Sequence, residues 1–139
     1  MSLRSTIALF ACATSLALPA AAAAAHSVGT SSQISWVRTA TTRFVTAELK
    51  RDPSEACAVL TAQKRATVHH RTCEQRWGSK IATMLHEPGE RARLQADRRA
   101  IATAAVIVHG NVASIELPTP LLNGSNELLW TENCWMVKG

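Results

Sequence analysis

The strongest constraint on this chain is a change of period near residue 100. Before it, apolar residues recur at helical spacing; after it, they run in short β-branched stretches bounded by turn residues. From Gln33 onward, Ile34, Val37, Thr41, Phe44, Val45 and Leu49 share one helix face, while Arg38, Arg43, Glu48 and Lys50 lie off it. Asp52-Pro53-Ser54-Glu55 marks a boundary. Asp52 caps the next helix, Pro53 suits its first position, and Glu55 is expected to reach back to the free amide. Ala56, Cys57, Val59 and Leu60 form the stripe that follows. A third helical stretch is expected from about His70 to His86, with Cys73, Trp77, Ile81, Met84 and Leu85 inward; Gly78 weakens it by up to about 1 kcal/mol. Pro88-Gly89 ends it, and Glu90 to Arg99 reads as a short helix centred on Leu94.

Ile101 to His109 then reads as a strand, and Gly110-Asn111 as a tight turn. Val112 to Leu117 is a second strand, stopped by Pro118 and Pro120. Asn123-Gly124-Ser125 is a further turn. Leu128 to Thr131 and Trp135 to Val137 make a hairpin around Glu132-Asn133. Helices first and antiparallel strands afterwards define an α+β fold, with helices on one face of a curved sheet.

The start of the chain reads as an export signal over residues 1–25. Arg4 precedes an apolar run through Ile7, Leu9, Phe10, Leu16 and Leu18, and Ala23 and Ala25 fit the small-x-small rule for cleavage before His26, a rule that sites about one to five residues earlier also satisfy. Thr14, Ser15 and Pro19 interrupt the run, so it is too short to anchor a spanning helix well. A lipoprotein signal at Cys12 is the rival reading, opposed by the bulk of Phe10 two positions earlier. Cleavage leaves one domain, from residue 33 to 139, behind a flexible leader at 26–32. The expected location is secreted or extracellular.

Loss of Arg4 takes the net charge from +5 to +4, which favours solubility and loose attraction to anionic surfaces. Tyr is absent and aromatics are scarce, so no base-stacking platform, and no nucleic-acid partner, is expected. Arg91, Arg93, Arg98 and Arg99 form the densest basic run, read first as a solvated helix face. Three cysteines remain after cleavage. In an oxidising compartment two pair and one is left over. Cys57 and Cys73 sit on consecutive helical segments that an antiparallel arrangement brings within bonding reach, a closure contributing roughly 3 kcal/mol in the chain-entropy model. Cys134 is then the odd thiol, buried near Trp135, with a reactive or intermolecular thiol as the alternative.

Asp52-Pro53-Ser54-Glu55-Ala56-Cys57-Ala58-Val59-Leu60-Thr61 resembles the D-x-x-x-A-C-x-L-L-T stretch of small secreted NTF2-like (nuclear transport factor 2-like) proteins of high-GC bacteria. The run from Val106 to Leu117 and the closing Trp135-Met136-Val137 also resemble that family, and the likeness covers about residues 33 to 138. The resemblance implies a cone: a bent antiparallel sheet around helices, with an apolar pocket at one end. Its members include isomerases, dehydratases, ligand-binding modules and inert partners, so the fold alone settles little. No buried Asp–His or Tyr–Asp pair of the catalytic members can be matched here, which counts against an enzyme.

Glu116 alternates with Ser114 and Val112, and His109 stands at a strand end; they are the candidate general bases, each more ordinary as a solvent-facing or turn residue. His69, His70 and Cys73 are close in sequence, but only His69 and Cys73 would share a helix face, and Cys73 is better used in a disulfide. His86 does not complete a set. No metal and no cofactor is expected. Trp77, Trp130 and Trp135 are core residues first and cavity walls second. The leading reading is a non-enzymatic secreted domain, monomer or homodimer, that binds a small apolar ligand or a protein partner. Its pocket would be lined by Trp77, Met84, Val106, Val108 and Trp130. The alternatives are a lyase or isomerase using Glu116 or His109, and an envelope-associated structural protein using Arg91 to Arg99.

Overall fold

The computed structural model describes residues 27–121 and 124–138; the signal segment 1–25 with Cys12, the cleavage point before His26, and Asn123 of the expected turn lie outside them. Among the described residues the chain forms helices α1 (Ser31–Lys50), α2 (Pro53–Ala58), α3 (Ala62–Arg65), α4 (Cys73–His86) and α5 (Glu90–Ala100). Strands β1 (Val106–His109), β2 (Val112–Ile115), β3 (Glu127–Thr131) and β4 (Cys134–Val137) follow. The α+β class and the helices-then-strands order are as the sequence reads.

Helix α1 starts at Ser31 because Thr30 and Gln33 make a reciprocal capping box. The Gln33 amide donates to Thr30 Oγ1 (3.1 Å), and the Thr30 amide donates to Gln33 Oε1 (2.9 Å). The stretch expected as a loose leader is tied down from Ser27 onward: its hydroxyl accepts the Val106 amide, and Val28 bridges to Ile107. At α2, Asp52 caps as expected by accepting the Glu55 amide at 3.0 Å, with Pro53 in the first turn. Glu55 does not reach back. Its carboxylate takes the Arg43 guanidinium of α1 at 2.8 Å instead, an ion pair the cap geometry leaves it free to make.

Helix α4 begins at Cys73 rather than His70. His69 and His70 are in the left-handed region (φ 49° and 62°) inside a turn closed by Val68 and Arg71, and Thr72 with Gln75 forms a second capping box. His69 and Cys73 therefore share no helix face. The stretch from Ile101 to Ala105 is not strand either. The Ile101 amide donates to Asp97 O and the Ala104 amide to Ala100 O, so the alanine-rich run prolongs the helical turn before β1 begins.

The four strands form an antiparallel meander in the order β1-β2-β3-β4, not closed into a barrel. Gly110 (φ 60°) opens the two-residue turn between β1 and β2, as a type II′ turn requires; Glu132 and Asn133 both take positive φ between β3 and β4, as in type I′. The register puts Val106 and Val108, Ala113 and Ile115, Leu128 and Trp130, and Trp135 and Val137 on one face. That face packs on α1, whose other side meets α2 and α5. Both outer edges carry a short parallel bridge. Val28 exchanges bonds with Val106 and Val108 along β1 (both 2.8 Å), and Val59 and Thr61 do so with Val137 of β4 (2.8 and 3.1 Å).

Cys57 and Cys73 form the expected disulfide, with Cα atoms 6.1 Å apart, joining α2 to the first residue of α4. Cys134 is not an odd thiol: no described cysteine is free, and Cys134 is disulfide-bonded. Gly78, next to α2, has room for a methyl group, since a Cβ there would meet Pro53 at 3.8 Å, an ordinary contact. Gly78→Ala is therefore expected to raise stability by about 0.5–1 kcal/mol. Replacing both Cys57 and Cys73 by Ala is expected to lower it by roughly 3 kcal/mol. Urea unfolding midpoints of the two variants check both values.

Candidate functional site

The five residues expected to line a pocket are placed in different parts of the molecule. Val106 and Val108 lie on the helix-facing side of the sheet and are buried in the core. Trp77 of α4 is buried edge-on against Phe44 of α1 (ring centroids 5.6 Å), with the Lys80 ammonium over its indole at 4.6 Å. Met84, two turns further along α4, is half-buried near the Arg93 guanidinium. Only Trp130 surfaces: it is 37% exposed.

Trp130 is the centre of an aromatic group that closes one end of the helix–sheet interface. Its indole stacks on Trp36 of α1 (centroids 5.8 Å, planes at 21°) and meets its cross-strand partner Trp135 edge-on at 5.6 Å. Trp36 is 41% exposed, whereas Trp135 is buried. Among the described residues the Trp135 indole N–H has no acceptor, although buried indole N–H groups usually find one. Trp36 is the residue that sequence reasoning missed. Its spacing of eight from Phe44 puts it roughly two turns earlier and about 12 Å away along α1, near the outer end of the apolar stripe.

The other end of α1 carries a buried polar cluster, also missed. Glu48, expected off the apolar face, is only 5% exposed. It stands one turn after Phe44 and two after Thr41, in the middle of the buried arc; that spacing was the available signal. Asp97 of α5 is 3% exposed. Its carboxylate accepts the Thr119 hydroxyl (2.6 Å) and an Arg93 N–H (3.1 Å). Arg93 also donates to Thr119 Oγ1 (3.1 Å) and binds Glu90 through Nε (2.8 Å) and a terminal nitrogen (2.7 Å). The Glu90 hydrogen bond is the main reason that the Arg93 pKa lies above its ordinary value, against the opposing effect of burial. Burial pushes the Glu48 carboxyl up from 4.5 to about 7. Arg93 and Lys80 oppose that rise; Asp97 and Glu90 add to it.

Glu116 and His109 are both exposed, at opposite ends of the β1–β2 hairpin and roughly 13 Å apart along it. Neither has the desolvated surroundings of a pocket base. Arg91, Arg98 and Arg99 face solvent, while Arg93 is spent in the polar cluster. Among the described residues no group of three or more His, Cys, Asp or Glu side chains is placed to hold a metal ion. A cavity of about 310 Å³ lies against α1 and α2, lined by residues that include Arg43, Lys50, Asp52 and Glu55. The Arg43–Glu55 pair and the Asp52 cap already commit three of its polar residues to one another. None of the described helices is long and apolar enough to cross a membrane.

Comparison with protein-family models, with curated proteins and with solved structures finds no match to this chain.

Asp97 depends on Thr119 for its shortest hydrogen bond. Thr119→Val should therefore cost about 1.5–3 kcal/mol, the range for a lost bond to a charged group, with secondary structure unchanged by circular dichroism.

Proposed function

We propose that this chain is a secreted, non-enzymatic binding domain of the NTF2-like kind, and that it takes an apolar, ring-bearing ligand at the tryptophan end of the helix–sheet interface. The observation that carries the reading is the exposed Trp36–Trp130 stack. Tryptophan is among the residues most enriched where binding energy concentrates, and a rigid indole loses little entropy when it is covered. Export accords with the Cys57–Cys73 disulfide, since such bonds form and persist chiefly in oxidising compartments. The exposed settings of Glu116 and His109 favour binding over lyase or isomerase chemistry.

Anilinonaphthalene sulfonate, with fused rings and acceptor oxygens, is a suitable probe. It is expected to bind the folded protein and quench its tryptophan emission. Trp130→Ala should weaken that binding at least tenfold while leaving far-UV circular dichroism unchanged, and Trp36→Ala should follow it. Equal affinity in a folded Trp130→Ala variant would rule the reading out. Native mass spectrometry of the exported protein then identifies any retained natural ligand.

A further inference from the structure

We propose that the outward face of α5 is an electrostatic docking surface for an anionic phospholipid bilayer, on which the exported domain rests peripherally. The way the helix distributes its charge carries the argument. Its two acids, Glu90 and Asp97, are both bound by one arginine, Arg93, at 2.7 and 3.1 Å. Arg91, Arg98 and Arg99 are exposed and, among the described residues, form no ion pair. Arg91 and Arg98 stand two turns apart on nearly one line, and Arg99 lies beside it, so the three share roughly a third of the helix circumference. The other exposed residues of α5 are Ala92, Gln95 and Ala96, and no acid interrupts the stripe. Arg91 also donates to the Leu49 carbonyl at 3.3 Å, which sets the end of α1, with the exposed Lys50 and Arg51, against the first turn of α5.

The chemistry of the stripe selects the partner. A guanidinium pairs with phosphate through two parallel N–H bonds and stays charged throughout the physiological pH range. The stripe is the convex side of a helix, so it offers charge to a plane rather than a fitted site to a small molecule. It is also short, roughly 12 Å from Arg91 to Arg99. Exposed acids stand beyond both its ends: Glu87 before the helix, and Glu116, whose amide donates to the Ala105 carbonyl, after it. A linear polyanion running along α5 would meet those carboxylates. A bilayer surface touches only the crest between them. The surface is separate from the tryptophan site, since Trp36 lies roughly 20 Å from Leu49 along α1, and neither needs the other.

The test is co-sedimentation of the exported protein with vesicles of phosphatidylglycerol and phosphatidylcholine in equal parts, and with phosphatidylcholine alone. Binding is expected only to the first, at about 50 mM salt, and should be lost by about 500 mM as the charges are screened. A basic side chain near an anionic bilayer is worth about fivefold in partitioning, so Arg91→Gln/Arg98→Gln/Arg99→Gln should weaken binding on the order of a hundredfold. Far-UV circular dichroism should be unchanged. Lys64→Gln/Arg71→Gln/Lys138→Gln removes the same charge away from α5 and should cost less than about fivefold. An equal loss in the two triple variants, or binding that salt does not weaken, would overturn the proposal. So would retention on heparin of a protein that the anionic vesicles fail to hold, which would make the partner a polymer.

Discussion

Everything in this domain leans on α1. It is packed on two sides at once, by β1, β2 and β4 and by α2 and α5, so its buried residues span a wide arc: Val37, Ala40, Thr41, Phe44, Val45, Ala47 and Glu48. A surface helix needs only a narrow apolar stripe; a helix between two layers must meet neighbours around nearly half its circumference. The short side chains at Ala40 and Ala47 let neighbouring elements approach, and Phe44 fills the centre against Trp77. Thr41 is buried without loss because its hydroxyl donates back to the Val37 carbonyl at 2.8 Å. Glu48 is the one residue in the arc with no such local solution, and the Arg93–Asp97–Thr119 network has grown up beside it.

Local chemistry explains how much of this was legible in the sequence. The Asp52-Pro53 cap, the Gly110-Asn111 turn and the Glu132-Asn133 hairpin follow from residues within a few positions of one another, and the structure has all three. The Cys57–Cys73 bond was legible for the same reason, since two short helices with a brief link leave few alternatives. The departures have more than one cause. Glu55 reads as its own helix's capping residue until Arg43 is placed across from it. Residues 101–105 read as strand by composition, yet they turn onward from the end of α5, the Ile101 and Ala104 amides bonding back to Asp97 and Ala100. The helix expected from His70 starts instead at Cys73, where the Thr72–Gln75 box, visible in the sequence as T-x-x-Q, fixes its first turn.

The site shows the same division. Trp77 reads as core from its helical spacing and is buried; Val106 and Val108, expected along a pocket, are buried in the core as well, since periodicity does not say which interior residues stay covered and which come to the surface. Trp130 and Trp36 approach only once the sheet is laid on α1, and they lie almost a hundred positions apart in the chain. Glu48 failed for a different reason. A carboxylate is so seldom fully buried that its position in the 41–44–48 spacing was outweighed by its charge. Sites where a local rule is broken in this way are where proteins tend to keep their chemistry.

The two bridges on the sheet's outer strands bear on how the molecule behaves in a crowd. An open four-stranded sheet exposes two rims of unpaired amides and carbonyls, each a template for a strand from another molecule. Here Val28 occupies one rim and the 59–61 segment the other, so neither is left bare along its middle. The first guard depends on Gly29, which has φ 138° and whose missing side chain would sit 3.0 Å from a Val108 methyl group. Any larger residue there pushes the guard away from β1. The damage would then appear as edge-to-edge aggregation of otherwise folded molecules, and the residue that protects solubility is a glycine outside every helix and strand.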